Sequence, residues 1–379
     1  MDKTELFNRI KGKLIISCQA LPGEPLYDPE RTLMPYMARA AREAGSPMIR
    51  ANTVRDVVGI KRETGLPVIG LIKQVYEGYD GYITPTMREV DALAEAGADI
   101  IAVDCTDRKR GDGLSPWEYI GTIKEKYPEM IVVGTVGPFN EGTDYVEGWK
   151  LADKLGVPMV DEHYYQTPGW FLNNQDFYDK YDRSKKTKVY LGEYATHIPG
   201  RKANIETALT EALYLAALER NGDVVHMTSY APLLAKEGHT QWNPDLIYFN
   251  NREVKPTTGY YVQKLYGQNA GNEYLPSKIT LDNKDDKVQK RFASSIVRDS
   301  ASGDVIVKLV NLLPVEVNTH VDLSGIGTIQ PSAKRTVLTG KPADTPLPVE
   351  DTVEVAEKFD CQLPAYSFTV IRIKKANEK

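Results

Sequence analysis

The sequence predicts an α/β chain in which a (β/α)8 TIM barrel is followed by an antiparallel β-sandwich. Short apolar runs alternate with amphipathic segments up to about residue 235, and each run ends in a polar or charged residue. After about residue 255 the helical period disappears. Eight strands that alternate with helices match a closed parallel barrel. A doubly wound open sheet is the alternative, but that fold usually has fewer strands.

Eight apolar runs form the predicted barrel strands. They are apolar on successive residues, which is typical of parallel strands buried on both faces. The predicted strands are Leu14–Gln19, Met48–Asn52, Val68–Lys73, Ile100–Asp104, Met130–Thr135, Met159–Tyr165, Val189–Tyr194 and Val224–Tyr230. The predicted helices include Leu33–Ala44, Met87–Ala96, Val146–Leu155 and Ile205–Arg220. The sequence therefore assigns residues 1–255 to the barrel.

The remaining residues, 256–379, are predicted to form an all-β domain. Gly, Pro, Asn and Asp separate short β-like runs in this part of the chain, a pattern typical of antiparallel sheets. The predicted strands are Ser277–Leu281, Arg291–Arg298, Asp304–Leu309, Glu316–Leu323, Lys334–Thr339 and Ala365–Lys374.

Composition narrows the classes of protein to consider. Of 379 residues, 41% are hydrophobic and 26% are charged, so the chain can bury a sizeable core. The net charge is -5 and the basic residues form no long run, which argues against a nucleic-acid-binding surface. No apolar stretch approaches the roughly 20 residues that span a bilayer.

The N-terminus and the cysteines bear on location and cofactors. The N-terminus lacks the long apolar region and cleavage site of a signal peptide, so we expect a cytoplasmic protein. Cys18, Cys105 and Cys361 are too widely spaced for a disulfide framework or a metal site. We expect reduced thiols in the core and neither a metal nor an organic cofactor.

Polar side chains at the strand ends predict an active site. In a barrel of this kind the carboxyl ends of the strands share one mouth, where catalytic groups lie. The first four predicted strands end at Gln19, Arg50, Lys73 and Asp104, and the seventh ends near Glu193. The sixth ends in the polar run DEHYY, residues 161–165. We therefore expect these side chains to line the mouth, although any one of them could equally be a solvated charge near a loop.

Two kinds of chemistry fit these residues. Asp104 and Glu193 form a pair of carboxylates across the mouth, as glycoside hydrolysis requires, and retention of configuration needs them about 5–5.5 Å apart. A buried Lys73 opposite a glutamate could instead move a proton at a carbon next to a carbonyl, which is epimerase chemistry.

Aromatic side chains are concentrated in the second half of the predicted barrel. Aromatic faces pack against the apolar faces of sugars, but they are equally typical of ordinary core packing. The candidates are Trp149, Tyr164, Tyr165, Trp170, Tyr194, Tyr230 and Trp242.

The first part of the chain resembles a known family. The segments KGKLIISCQALPGEPL, AAREAGSPMIRANTV, PVIGLIKQVYEGYDGYITPTMREVDAL and GADIIAVDCTDRKR occur in order up to about residue 130. They resemble the N-acetylmannosamine-6-phosphate 2-epimerase family. The resemblance implies that Lys73 is the acid/base and that Gln19, Arg50, Asp104 and Arg108 line the site. That family takes a second catalytic glutamate from its seventh strand, where Glu193 lies.

The chain from about residue 124 onward resembles a different family. The segments VGTVGPFNEGTDYVEGW, PMVDEHYYQTPGWFLNN, YDRSKKTKVYLGEYATH, HMTSYAPLL and QWNPDLIYFNN are similar to the C-terminal part of glycoside hydrolase family 51, the α-L-arabinofuranosidases. This resemblance implies that Glu193 in LGEYA is the nucleophile. It also implies that His163 and Tyr165 in DEHYY contact the substrate.

The resemblance to the hydrolases also implies an acid/base glutamate in an Asn-Glu pair at the end of the fourth strand. Here the fourth strand comes from the epimerase-like half and ends in Asp104. Loss of a placed proton donor typically costs about 10²–10⁴-fold in rate, so we expect impaired general acid/base catalysis.

The two resemblances meet near residues 124–134 and so leave four strands to each. We interpret the chain as a chimera of an epimerase-like half, residues 1–130, and an arabinofuranosidase-like half, residues 131–255, with the sandwich after it. Three hypotheses follow: a retaining arabinofuranosidase-like hydrolase, an N-acylmannosamine-6-phosphate 2-epimerase, or a folded barrel chimera without turnover. The expected partner is a small carbohydrate, either an arabinofuranoside or an amino-sugar phosphate, and a homo-oligomer is left open.

Overall fold

The computed structural model describes residues 3–10, 13–104, 106, 108–240 and 242–376, so Cys105 lies outside the described residues. Eight parallel strands pair in the order β1 to β8 and confirm the predicted barrel. Among the described residues, β8 and β1 do not form a hydrogen-bonded ladder. The ring of strands is therefore nearly but not fully closed. The strands are β1 Ile16–Cys18, β2 Ile49–Asn52, β3 Val68–Leu71, β4 Ile100–Asp104, β5 Ile131–Thr135, β6 Met159–Gln166, β7 Lys188–Thr196 and β8 Val225–Tyr230.

Helices fill the connections between the barrel strands. They are α1 Lys3–Ile10, α2 Met34–Glu43, α3 Val54–Thr64, α4 Met87–Glu95, α5 Pro116–Lys126, α6 Thr143–Leu155, α7 Pro168–Asn173 and α8 Ile205–Arg220. Local sequence explains where they begin. In α5, for example, the Ser115 side chain accepts a hydrogen bond from the backbone N–H of Glu118, and the Glu118 side chain accepts one from the backbone N–H of Ser115. Within the described part of the chain, no helix is long and apolar enough to cross a membrane.

The barrel strands are buried on both faces, which explains their continuous apolar runs. In β4, Ile100 and Ala102 face a core inside the barrel, whereas Ile101 and Val103 pack against the surrounding helices. Successive side chains of a strand point to opposite faces, so both sets must be apolar. Helix α1 inserts Leu6 into the inner core.

Helix α8 is buried on nearly all sides because it lies between the barrel and the C-terminal sheets. It packs against β7 and against three strands of the β-domain, β13 Phe292–Arg298, β14 Val305–Asn311 and β19 Ser367–Ile373. A buried ion pair joins the two parts, since Lys308 in β14 lies 2.6 Å from Glu219 in α8.

The chain after β8 does not become all-β at residue 256. A small sheet of β9 Leu234–Lys236, β10 Ile247–Phe249 and β11 Val254–Pro256 is followed by helix α9, Thr258–Gln268. The predicted loss of helical structure after residue 255 was therefore wrong at α9, which packs against α8. The domain division at residue 255 stays a prediction.

The C-terminal part contains two antiparallel sheets that share one core, as predicted. The larger sheet has the order β12 Glu273–Tyr274, β13, β14, β19, β16 Ser332–Thr339 and β17 Val349–Glu354, and the smaller sheet pairs β15 Val317–Asp322 with β18 Lys358–Leu363. The predicted strand Ser277–Leu281 was wrong, because these largely exposed residues pair with no strand among the described residues. Three strands of these sheets were missed, β12, β17 and β18. A short helix, α10 Asp286–Gln289, lies between β12 and β13.

Candidate active site

A cavity of about 250 Å³ opens at the carboxyl ends of the barrel strands. Five of the candidate catalytic and substrate-binding residues line it, Gln19, Arg50, Lys73, Tyr165 and Glu193, and so do the aromatic candidates Tyr230 and Trp242. Gln19, Arg50 and Lys73 come from the first half of the barrel, and the others come from the second half or from the segment that follows it. We call this space the mouth cavity.

Strand β6 supplies one wall of the site through its two-residue alternation. Asp161, His163 and Tyr165 point toward the mouth, where each contacts Arg50 or Glu193. The intervening Glu162 points outward and accepts a hydrogen bond from Trp149 Nε1 on α6 at 2.9 Å. The sequence DEHYY therefore divides its polar groups between two faces of the barrel wall.

Strand β7 carries Glu193 to the mouth through an irregular register. The pairing of β7 with β6 shifts between Glu162 and His163, and its pairing with β8 shifts between Leu191 and Tyr194. Such bulges re-aim side chains near functional sites. Gly192 is required beside Glu193, because a Cβ at this position would lie 1.9 Å from Asp161 Oδ1.

Glu193 is surrounded by hydrogen-bond donors and positive charge. Tyr165 donates its hydroxyl to Glu193 Oε2 at 2.7 Å, and His163 Nδ1 lies 3.5 Å from the same oxygen. Arg50 lies 3.9 Å from Oε1. Burial raises the pKa of Glu193, but His163, Arg50, the Tyr165 hydrogen bond and Lys73 together outweigh it and lower that pKa. The structure thus favours an ionised Glu193 carboxylate.

The two cations next to Glu193 are themselves kept charged by carboxylates. Burial lowers the pKa of His163, but Asp161 and Glu193 outweigh it and raise that pKa. Burial also opposes the charge on Arg50, and Tyr190, Asp161 and Glu193 outweigh it. Asp161 Oδ2 lies 3.9 Å from Arg50, and its Oδ1 lies 3.1 Å from His163 Nε2. The site is therefore a compact network of alternating charge.

Lys73 differs from these cations because its environment disfavours the ammonium form. Burial and the nearby Arg50 lower the pKa of Lys73, and this effect exceeds the opposing influence of Glu193 and Glu24. Its backbone N–H donates to Asn52 Oδ1 at 3.0 Å, which fixes the chain just beyond β3. A buried lysine of this kind is a suitable proton acceptor.

Gln19, Asp104 and Arg108 are placed less closely to Glu193. Gln19 lines the mouth cavity, and its buried Oε1 accepts no hydrogen bond within the described ranges. Asp104 Oδ1 accepts hydrogen bonds from the backbone N–H and the hydroxyl of Thr106, at 2.8 and 2.5 Å, and Asp104 does not line the cavity. Arg108 pairs with Asp144 at 2.9 Å and is 38% exposed.

Sequence reasoning missed two acidic residues of the site. Asp161 belongs to the polar run 161–165 that was expected at the mouth, and it lies two residues before His163 and so on the same face of β6. Glu24 and Asp245 line the mouth cavity from the loop after β1 and from the segment between β9 and β10. Those loops have no periodic pattern that would have indicated where their side chains point.

Two further observations bear on ligands. Among the described residues, no group of three or more His, Cys, Asp or Glu side chains is placed to hold a metal ion. A larger cavity of about 720 Å³ lies between α1, α8, β8 and α9, lined by side chains such as Phe7, Leu215 and Met227. It lies away from Glu193, so we place the candidate site at the smaller mouth cavity.

Two protein-family models match the chain. Residues 34–165 match that of the N-acetylmannosamine-6-phosphate epimerases, and residues 178–369 match that of the α-L-arabinofuranosidase C-terminal domain. The first match runs past residue 130, where the sequence alone had suggested a join. The predicted two-part resemblance is confirmed.

Individual relatives divide in the same way. An extracellular exo-α-L-arabinofuranosidase of Streptomyces chartreusis is 47% identical over 163 residues, which are 43% of this chain and 19% of the relative. An N-acetylmannosamine-6-phosphate 2-epimerase of Caldanaerobacter subterraneus is 46% identical over 156 residues, 41% of this chain and 62% of the relative. The corresponding protein of Clostridioides difficile is 40% identical, and 83% of its length is covered. The chain thus spans less than two thirds of the first two relatives.

Solved structures agree with the architecture. An arabinose-bound α-L-arabinofuranosidase superposes with a TM-score of 0.68 at 21% identity, over 90% of this chain and 66% of that one. The α-L-arabinofuranosidase of Thermotoga maritima superposes with a TM-score of 0.66 at 12% identity, over 96% of both chains. At these identities the likeness shows the fold, a barrel followed by a β-domain.

Proposed function

From the premise that this chain belongs to the N-acetylmannosamine-6-phosphate epimerase family in its first part and to the α-L-arabinofuranosidase C-terminal domain family in its second, we propose that it is an arabinofuranosidase-like retaining glycoside hydrolase. One observation carries the proposal: Glu193 lies at the mouth between Tyr165, His163 and Arg50, and these neighbours lower the pKa of its carboxyl group. A carboxylate held in this way can attack an anomeric carbon.

The first half of the barrel supports this role. Arg50 lies between Asp161 and Glu193 and keeps the two carboxylates from repelling each other. It also helps to hold Glu193 in its unprotonated, nucleophilic form. Asp104, by contrast, has its Oδ1 engaged by Thr106, which supports impaired proton donation from the end of β4.

The proposal is tested with an arabinofuranoside that carries an activated fluorine at its anomeric carbon and a second fluorine beside it. Such a sugar forms the covalent intermediate but hydrolyses slowly. We expect a mass increase of one fluorinated sugar on the peptide that contains Glu193. The Glu193→Ala variant should remain unlabelled, and the exposed Glu125→Ala variant should label like the unmodified chain. Labelling that survives Glu193→Ala would overturn the assignment.

A second function is favoured by Lys73. This lysine has a lowered pKa and shares the mouth cavity with Glu193, so the pair could move a proton at the carbon next to a carbonyl. The measurement is exchange of that proton for deuterium when N-acetylmannosamine 6-phosphate is incubated in heavy water. Exchange that disappears in Lys73→Ala would support epimerase chemistry, and exchange equal in both would exclude it.

A negative result in both assays also has a meaning. If the chain unfolds cooperatively but neither labels nor exchanges, the third hypothesis holds, a folded barrel without turnover. The chimeric origin, the cytoplasmic location and a homo-oligomer stay predictions.

A further inference from the structure

The mouth cavity contains a second set of carboxyl groups that the proposed hydrolase reaction has not yet used. Besides Glu193, the cavity is lined by Glu24 from the loop after β1 and Asp245 from the segment between β9 and β10. Asp245 is only 3% exposed. A hydrolase that retains configuration needs a second carboxyl group, and Asp104 does not reach this cavity.

The segment that carries Asp245 is fixed by its own hydrogen bonds. Thr240 Oγ1, whose hydroxyl donates to the backbone carbonyl of Trp242 at 2.6 Å, also lies 3.2 Å from Asp245 Oδ2. The backbone N–H of Asp245 donates to the hydroxyl of Tyr248 at 2.9 Å, and Tyr248 donates to Asn243 Oδ1 at 2.8 Å. Asp245 is therefore held in place and does not swing with a free loop.

The same segment is joined to the Glu193 side of the cavity. Trp242 packs against Tyr165 with ring centroids 5.2 Å apart, and Tyr165 donates to Glu193 at 2.7 Å. Asp245 and Glu193 therefore line one cavity, and the segments that carry them contact each other through Trp242 and Tyr165.

The environments of the two carboxyl groups differ in the direction that acid/base catalysis requires. Burial, with a further contribution from nearby Glu24, raises the pKa of Asp245 to about 6. The other titratable groups that face Asp245 are the phenols of Tyr230 and Tyr248. Glu193, in contrast, has a lowered pKa because it faces cations. Two carboxyl groups whose pKa values are pushed apart are the usual mark of an acid and a nucleophile.

We propose that Asp245 is the acid/base residue of this site, in the role that the resemblance assigns to a carboxyl group at the end of β4. The inference rests on the proposed function. In the first step Glu193 bonds to the anomeric carbon, the bond to the leaving oxygen breaks with its electron pair, and that oxygen takes the proton of Asp245. In the second step Asp245 accepts a proton from water as the water oxygen bonds to the anomeric carbon, and the Glu193 carboxylate leaves with its electron pair.

The two other carboxyl groups are less suited to this role. Asp104 Oδ1 is occupied by two donors of Thr106 outside the cavity. Glu24 Oε2 accepts the backbone N–H of Leu21 at 2.7 Å, an interaction that stabilises the turn at residues 21–24. Both residues are therefore tested beside Asp245 as the alternative proton donors.

The test compares the full chain with its Asp245→Asn, Glu24→Gln and Asp104→Asn variants on aryl arabinofuranosides that differ in leaving group. We expect Asp245→Asn to lower kcat/KM by about 10²–10⁴-fold on the phenyl glycoside, whose leaving oxygen needs a proton. On the dinitrophenyl glycoside, which needs little protonation, the loss should stay below about tenfold. Added azide should accelerate this variant and give an arabinosyl azide, because azide attacks without a base.

The outcomes separate the two proposals. If Glu193-dependent release of dinitrophenol occurs but Asp245→Asn follows the unmodified chain across all leaving groups, the role of Asp245 is overturned and the hydrolase proposal stands. The same holds if Glu24→Gln or Asp104→Asn shows the leaving-group dependence and azide rescue instead. If the unmodified chain releases no dinitrophenol that depends on Glu193, both proposals fail.

Discussion

Glutamates are buried on both sides of the barrel wall, but with opposite partners. At the mouth, Glu193 faces His163, Arg50 and Lys73, and its pKa is lowered. On the outer side, Glu162 accepts hydrogen bonds from neutral donors that include Tyr178 Oη at 2.8 Å, and burial raises its pKa.

Glu211 in α8 is the second glutamate of the outer layer. It accepts the backbone N–H of Thr196 at 3.0 Å, and burial raises its pKa to about 8. The difference shows that position in the wall decides the charge of a buried carboxyl group. It also shows that the charged site needs both halves, because Arg50 and Lys73 come from the first half and Glu193 from the second.

The largest effect is expected from removing Arg50, a cation that the first half of the barrel supplies to the mouth. Arg50→Ala leaves Asp161 and Glu193 buried without the guanidinium between them. We expect the free energy of unfolding to fall by about 3–5 kcal/mol, measured by urea unfolding at neutral pH. Arg39→Ala, which removes an exposed pair with Glu63, should cost less than about 1 kcal/mol. Equal losses would contradict a special role for Arg50.

The second prediction uses pH to separate the outer carboxyl groups from the mouth. Unfolded chains release the Glu211 proton above about 4.5, whereas the folded chain holds it up to about 8. The stability that Glu211 contributes is therefore complete below pH 4.5 and is lost as pH rises through about 8. In the unmodified chain, the free energy of unfolding should therefore fall between pH 4.5 and about 8. Glu211→Gln should make this fall smaller by a few kcal/mol, as measured by urea unfolding at several pH values.

Glu193→Gln should change the pH dependence of the free energy of unfolding in the opposite direction, because the pKa of Glu193 is lowered on folding. Its contribution is present above 4.5, the ordinary glutamate value, and is lost as pH falls below it. If both variants change the pH dependence in the same direction, the contrast between mouth and outer layer is wrong.

A smaller effect is expected from the neutral donor at the mouth. Tyr165→Phe removes the hydroxyl that donates to Glu193 at 2.7 Å. A hydrogen bond to a charged group is worth about 1.5–3 kcal/mol, so kcat/KM on a nitrophenyl arabinofuranoside should fall by about 10- to 150-fold. Tyr127→Phe, which removes a similar bond to Asp91 far from the mouth, should leave kcat/KM as it is.

The smallest effect is predicted for Arg108→Ala. The resemblance to the epimerases implies a site residue, but the guanidinium pairs with Asp144 on α6 and is 38% exposed. We expect a change in kcat/KM below about twofold and a loss of stability below about 1 kcal/mol. A loss above tenfold would mean that Arg108 turns toward the mouth when substrate binds.

The barrel could be predicted from the sequence because its strands are apolar on both faces and end in polar residues. Glu193 and His163 were found by that signal, since the ends of β6 and β7 are rich in charge. Asp245 was not, because the segment QWNPDL has neither the period of a helix nor that of a strand. Its position depends on the hydrogen bonds of Thr240 and Tyr248, which no local pattern encodes.

The errors outside the site have similar causes. Helix α9 was overlooked because Gly259 and Gly267 interrupt its sequence, yet Thr257 accepts the backbone N–H of Tyr260 and so caps the helix. The run Ser277–Leu281 alternates like a strand but is largely exposed, and within the described part of the chain it pairs with no strand. A strand pattern predicts a strand only where a partner edge is free.

The contact between Gly192 and Asp161 limits how this barrel can be improved by laboratory evolution. Every amino acid other than glycine would place its Cβ within 1.9 Å of a carboxylate oxygen, so mutant libraries at this codon should return glycine among active clones. Useful diversity then has to come from the connecting loops at the rim, where a changed side chain displaces only solvent.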